Sequence, residues 1–376
     1  MNLISLDIKG EKDLYRNASK ELISSVDFYY SENHLKIIEN PLLERDLDLD
    51  LDQVENIGLK SCLLAYNEGL QKLFRKYGKE LLDGNQQNKM CQNALNKTVE
   101  YSGEKYEYCI YIWPGTYNFF IDVARALQWK MNIQGLTTII SEEFIGRAKR
   151  YIIFGANACT YSPIKVEIPD KSIIYNLEQL YENSPHNTPL YREILRNREI
   201  WDYSSKNIEW LKKNSLGSRL KHVKLTYAPT LQIHTSTLTT PLEEDIDVLF
   251  FGSVNQKRKD IFEKLTKSAP NLKVIFANNI WGFARNALIM RAKIILNIHY
   301  YSTGILETPR ISLGVANKKF IISESCNSED EMAWPGIKFV SYEKIVETIL
   351  NYIYKPEECK KLAKIAYNHF LKSSFL

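Results

Sequence analysis

The chain has 376 residues, of which 44% are hydrophobic, 12% aromatic and 25% charged, with a formal net charge of +4. That length sets a prior of two domains, and the composition is that of an ordinary globular protein. So small a positive surplus leaves no electrostatic footprint for nucleic acid, while phosphorylated ligands and an anionic membrane surface stay open as partners.

Residues 1–105 read as a polar, mostly helical region, with apolar side chains at helical spacing over 53–82 (Val54, Ile57, Leu63, Leu64, Leu70, Leu73, Phe74). The start, MNLISLDIKGEKD, lacks a basic stretch followed by an apolar core, so it does not read as a signal peptide. No apolar run approaches the roughly 20 residues of a membrane span. The expectation is a cytoplasmic protein, at most peripheral to a membrane. Asp46, Asp48, Asp50 and Asp52 suggest a calcium loop, but an EF-hand counted from Asp46 needs Gly and Glu where Leu51 and Ile57 stand. The six cysteines (62, 91, 109, 159, 326, 359) form no C-x-x-C pair and sit near no histidine cluster. They read as reduced thiols, and no metal site is expected.

From 106 the pattern changes. YEYCIYIW (106–113) is strand-like and is broken by Pro114-Gly115; a helix is predicted over 118–131. Short apolar runs follow at Thr137–Ile140, Tyr151–Phe154, Ser172–Tyr175 and His222–Leu225, with helices predicted at 189–200 and 205–213. Residues 232–247, QIHTSTLTTPLEEDID, read as a linker. A second alternation begins at the strand Val248–Phe251. It continues through helix 256–266, strand Leu272–Ala277, helix 281–291, strand Ile294–Ile298, a short helix and strand Phe320–Ser323, then helices to the end. Strands alternating with helices give parallel sheets covered on both faces. The predicted fold is therefore α/β: two Rossmann-like domains, 106–231 and 248–355, facing across a cleft, with an N-terminal helical region and a C-terminal helix over 356–376.

In open α/β sheets ligands bind beyond the carboxyl ends of the strands, so the connectors carry the chemistry. After the first strand of the second series come Gly252, Ser253, Asn255, Arg258 and Lys259. A glycine admits close backbone approach, a helix N-terminus offers free N–H groups to an anion, and Arg258 and Lys259 add mobile positive charge. A solvated basic helix start is the equal alternative. After the next strand come Asn278, Asn279 and Trp281, read either as contacts to a base and ribose or as an N-cap and a core indole. After the third come His299, Tyr300, Gly304, Glu307 and Arg310. Thr308-Pro309 marks a helix start running through Ala316 and burying Ile311 and Val315. Glu307 then stands just outside the helix and Arg310 in its first turn. They are placed either to hold a sugar hydroxyl and a phosphate or to form a local ion pair. His299 reads as a catalytic or a half-buried strand residue.

VLFFGSVNQKRK, WGFARNALIMRAKIILNIHYY and LETPRISLGVANKKFIISE resemble the donor-binding half of GT-B glycosyltransferases of the group 1 type, close to the CgeB-like branch. SIIYNLEQL and IWDYSSKNIEWLKK are similar to the later part of that family's first domain, so the resemblance spans about 106–376. It implies an enzyme that moves a sugar from a nucleotide-diphosphate donor to an acceptor, without a metal or other cofactor. Gly252, Arg258 and Lys259 would lie near the diphosphate and Asn278 near the base. Glu307 and Arg310 would face the ribose, phosphate or transferred sugar. Trp113, Asn176, Glu178 and Gln179 would line the acceptor side, with Glu178 the one candidate base among them and equally readable as a structural residue. The chain departs from the family at one place. The glutamate usually carried inside the short helix is Leu313 here, and the small residue and glycine after it are Asn317-Lys318. The acceptor would be a glycan, a lipid-linked glycan or a protein. Rival readings are an epimerase of nucleotide sugars and a binding module without turnover. The basic, partly amphipathic stretches 70–82 and 358–372 suggest contact with a membrane surface.

Overall fold

In a computed structural model of the chain, the described residues are 106–145, 148–161, 167–233, 243–278 and 280–373. The expectations for 1–105, Asn279 and most of the linker lie outside them. Two parallel sheets organise these residues. The first contains β1 (Tyr106–Ile112), β2 (Thr138–Ser141), β3 (Ala148–Phe154), β4 (Ile173–Asn176), β5 (Glu199–Asp202) and β6 (Arg219–His222), in the order β2-β1-β3-β4-β5-β6. Its helices are α1 (Tyr117–Ile133), α2 (Pro189–Arg196) and α3 (Ser205–Lys213). The second sheet contains β7 (Ile246–Phe251), β8 (Val274–Ala277), β9 (Ala292–Asn297), β10 (Phe320–Glu324) and β11 (Lys338–Val340), in the order β11-β10-β9-β7-β8. Around it lie α4 (Gln256–Ser268), α5 (Gly282–Arg291), α6 (Thr308–Ala316), α7 (Ser328–Ala333), α8 (Ile345–Tyr352) and α9 (Pro356–Lys372).

Both sheets are wound alike. The second strand pairs on one side of the first, and the third crosses back to the other side. Each sheet therefore has a switch point between its first and third strands, where the following loops diverge and leave a crevice. The strands are buried on both faces. Cys109 and Tyr111 of β1 point into one core with Ile153 and Ile174, while Ile110 and Ile112 point into another with Ile152 and Tyr175. That alternation is what a parallel sheet between two helical layers requires.

Three predicted elements are corrected. The helix expected over 189–200 stops at Arg196, and Glu199–Asp202 pairs with β4 as a strand. The edge strand expected at 222–225 lies at Arg219–His222. A further strand, β11, and the short helix α7 occupy a region read as helix throughout. Helix α9, offered as a membrane-facing segment, turns Cys359, Ala363, Ala366 and Phe370 inward. Its apolar face is thereby spent on the protein's own interior. Among the described residues no helix is long and apolar enough to cross a membrane.

The chain divides into two compact units in a way the linker prediction does not capture. One holds the first sheet together with Tyr301–Ser312 and the chain from Lys372. The other holds Gln232–Tyr300 and Leu313–Leu371. The predicted domain 248–355 is thus interrupted, and the segment bearing Gly304, Glu307 and Arg310 belongs with the first sheet. The reason is local: Ile305 and Leu306 are buried, and Ile305 joins the core formed by Ile112, Phe120, Phe154 and Tyr175.

Candidate functional site

At the switch point of the first sheet, the loops after β1 and β3 approach closely. Gly155 ends β3 with a φ of 73°, and a Cβ there would stand 2.5 Å from Thr116 Oγ1 and 2.9 Å from Phe120 Cε2. Left-handed backbone and lack of space both demand glycine. Gly155→Ala is expected to lower stability by about 2–3 kcal/mol in urea denaturation. The turn Ala156–Thr160 that follows holds Asn157, which is buried. Trp113, predicted to line the acceptor side, is only 1% exposed and packs into the core edge-to-face with Tyr111.

The loop after β4 carries Glu178 and Gln179, and a buried polar network fixes it. Asp202, at the end of β5, is fully buried. It accepts from Asn176 Nδ2 (2.6 Å), Ser204 N (2.8 Å) and Asn207 Nδ2 (3.1 Å). Burial pushes its carboxyl up to about 8, against these N–H donors, which hold it down. Asn176 and Asn207 also donate to the Glu178 carbonyl (2.8 and 2.7 Å), and Asn207 accepts from Leu180 N (2.8 Å). Asn176, expected on a cleft wall, is thus a buried brace, its own carbonyl taking the Tyr191 hydroxyl at 3.0 Å. Gln179 is tied to the inserted segment, donating to Ile305 O at 3.1 Å and accepting from the Thr303 hydroxyl. Lys206 Nζ donates to Thr303 O at 3.1 Å. The expected acceptor residues Glu178 and Gln179 and the expected donor residue Gly304 therefore meet at one end of one sheet.

Glu178 is not held by its backbone alone. Its Oε2 lies 3.1 Å from Nε2 of His186, and Nδ1 of His186 lies 3.3 Å from Nδ2 of Asn157. Tyr161, at the mouth of this cluster, has its phenol pushed up by desolvation and then by the Glu178 carboxylate. Reading the sequence alone misses Asp202, His186 and Asn157. The strand-end glycine Gly155 is the one visible pointer to the last.

Glu307 and Arg310 stand where the helix prediction puts them. The first helical bonds run from Arg310 N and Ile311 N to the Glu307 carbonyl (3.0 and 3.1 Å), and Ile311 and Val315 are buried. Burial draws the Arg310 guanidinium below its ordinary value, and the Glu307 carboxylate opposes the shift. The two side chains are thus electrostatically coupled to each other. At the family's glutamate position Leu313 is buried. Lys318, in place of the family's glycine, keeps a φ of 55°, with its ammonium 4.9 Å from the Tyr367 ring centre.

The switch point of the second sheet is organised by Arg258. Its guanidinium is only 2% exposed and donates to the carbonyls of Ser253, after β7, and Ile298, after β9. Phe250 and Tyr300 lie 4.9 and 5.1 Å from it. The expectation of a mobile charge for a diphosphate is corrected: Arg258 is a structural clamp across the crevice. Asn255 caps α4, accepting from Arg258 N (3.1 Å) and donating to Tyr300 O (3.0 Å). His299 is buried, its backbone N–H on Glu324 (3.0 Å) and its ring on Ser325 O (3.1 Å). Gly252 and Asn278 are half-buried, Ser253 and Lys259 are exposed, and Tyr300 leaves 37% of its surface open. What this end offers a ligand is a glycine turn, the first N–H groups of α4, the Lys259 ammonium and an aromatic face.

No protein-family model matches the chain. The uncharacterized protein L140 of Acanthamoeba polyphaga mimivirus is 25% identical over 185 residues, 48% of this chain and 59% of that protein. The chain thus spans somewhat more than half the length of the curated relative it matches. Among solved structures, Anabaena HepE in complex with UDP and glucose is 9% identical with a TM-score of 0.43, over 71% of this chain and 95% of that one. The UDP-GlcNAc 2-epimerase of Neisseria meningitidis bound to UDP-GlcNAc is 11% identical with a TM-score of 0.38, over 71% and 96%.

Proposed function

We propose that the chain is a cytoplasmic, metal-independent glycosyltransferase of the GT-B type, moving a sugar from a nucleotide-diphosphate donor to a glycan, a lipid-linked glycan or a protein. The observation that carries this reading is the pair of identically wound parallel sheets, each with a polar switch point of different chemistry. The second sheet offers N–H groups and a lysine, which suit a diphosphate. The first offers a carboxylate paired with an imidazole, which suits a hydroxyl about to lose its proton. The sequence resemblance over 248–324 points the same way. In this reading α4 and Lys259 stabilise the negative charge that gathers on the leaving diphosphate, so no metal is required of the mechanism.

A panel of UDP-, GDP-, ADP-, CMP- and dTDP-sugars at saturating concentration should raise the melting temperature by several degrees for one nucleotide. The shift should persist in EDTA and shrink in Lys259→Ala. No shift for any nucleotide, in folded protein, overturns the reading. Leu313 at the family's glutamate position favours one second reading, a module that binds nucleotide sugars without turning them over. A thermal shift with no release of nucleoside diphosphate over hours would establish that reading instead.

A further inference from the structure

We infer that Glu178, His186 and Asn157 act as one proton-accepting unit, with Glu178 the base toward the acceptor hydroxyl, His186 its positioning residue and Asn157 the residue that selects the imidazole tautomer. The inference rests on the transferase reading. The three side chains form a line from the interior outward: Asn157 is 3% exposed, and the His186 and Glu178 side chains are 14% and 30% exposed. An amide Nδ2 is a donor only, so Asn157 requires His186 Nδ1 to be the accepting nitrogen. The ring proton then sits on Nε2 and is donated to Glu178 Oε2 at 3.1 Å. One carboxylate oxygen is thereby held in place, and the other is left for substrate.

The backbone is built to the same end. The Glu178 carbonyl is pinned by two amides anchored on Asp202. His186 is pinned by its N–H on Ser184 Oγ (3.2 Å), whose own hydroxyl donates to Gln179 O (2.7 Å). Two loops that share no sequence motif, those after β3 and β4, converge on one carboxylate, beside the switch point where ligands bind in sheets of this kind. An isolated surface His–Glu pair would need no buried amide behind it. In the step proposed, the acceptor O–H proton passes to Glu178 as the acceptor oxygen bonds to the anomeric carbon. The bond from that carbon to the diphosphate oxygen breaks, and its electron pair leaves with the nucleoside diphosphate.

The test uses the full-length protein, the nucleotide sugar giving the largest thermal shift, and water as acceptor, with nucleoside diphosphate release as the readout. Glu178→Gln should lower kcat on the order of 100-fold or more, and His186→Phe by about 10-fold or more, with KM for the donor and the thermal shift unchanged. His186→Gln, which restores an N–H donor, should recover part of the His186→Phe loss, and formate should partly rescue Glu178→Ala. A Glu178→Gln enzyme as fast as the parent, or a loss confined to KM, overturns the inference while leaving the transferase reading intact. An unmodified protein that neither binds nor consumes any nucleotide sugar overturns both. A readout free of substrate is available as well. Nitrogen-15 shifts of histidine-labelled protein, assigned with His186→Phe, should show the Nε2–H tautomer at His186, with the preference lost in Asn157→Leu. A dominant Nδ1–H form overturns the assignment.

Discussion

Arg258→Ala is expected to lower the unfolding free energy by about 3–5 kcal/mol and, on the proposed transferase reading, to abolish the nucleotide-sugar thermal shift, although the Arg258 side chain is turned inward and leaves only 2% of its surface open. The magnitude follows from what truncation leaves behind. The carbonyls of Ser253 and Ile298 lose charge-assisted donors, and the space between Phe250 and Tyr300 is emptied. Arg258→Lys should recover less than half of the loss. A point ammonium cannot span two carbonyls as the planar fork does, nor stack between two rings as well. Urea denaturation gives the first number and the nucleotide thermal shift the second. Wild-type-like stability in Arg258→Ala would mean that the crevice is held by something other than this clamp.

Asp202 carries the second large effect, and pH exposes it. Asp202→Ala should cost about 3–5 kcal/mol, because the amide and backbone donors around it lose their acceptor at once and the Glu178 loop is released with them. Asp202→Asn is the more informative variant. The folded-state carboxyl is raised to about 8, against about 3.9 for an unfolded aspartate, so the folded protein binds the extra proton. The stability Asp202 contributes is complete below about pH 4 and is lost progressively as pH rises toward 8. The amide introduced by Asp202→Asn does not titrate, so the penalty of that substitution should shrink steadily from pH 5 to pH 8. Asp245 works in a separate window. Burial raises its carboxyl, but Arg291 and Lys273 outweigh that and hold it near 2, so its contribution is present above the unfolded value and lost only as acid approaches pH 2. A penalty for Asp202→Asn that stays flat between pH 5 and 8 would show that the carboxylate is ionised throughout.

What can be read from the sequence is whatever depends on near neighbours. Helix α6 is found because Thr308-Pro309 marks its start and Ile311 and Val315 repeat at helical spacing, although the first helical bonds fall on the Glu307 carbonyl, one residue before the expected cap Thr308. The strands β7 to β10 of the second sheet are found because short unbroken apolar runs have few other uses, whereas β11, three residues beginning on a lysine, is not. β5 is lost because Glu199–Asp202 is short, carries charge at both ends and directly follows an amphipathic helix whose periodicity runs on into it. Arg258 is misread for a deeper reason. Within its own stretch, Lys257-Arg258-Lys259, it is one cation among three, and its burial is dictated by Phe250 and Tyr300 and by a carbonyl 40 residues away. The candidate base follows from the strand-end rule, but its partners do not. His186 lies farther along the same turn-rich connector as Glu178 and Asn157 on the connection after β3, so the fold of that connector brings the first to Glu178 and the pairing of β3 with β4 brings the second. Ile305-Leu306, two apolar residues in a polar connector, are the overlooked sign that this segment has a core of its own to fill.

That segment also constrains how the protein can be made. Ile305 completes an interior whose other members lie between residues 108 and 225. A ribosome will therefore have finished the first sheet's last strand, which ends at His222, well before the piece that seals its core emerges. Until then the slot for Ile305 and the side-chain amide of Gln179 are open to water or to a chaperone, and the sheet cannot be excised as one contiguous fragment. A stalled nascent chain ending near residue 260 should be readily digested by protease at the Glu178 loop, whereas one extended past residue 350 should resist. The order of synthesis, rather than any single interaction, sets when the Glu178 loop becomes rigid.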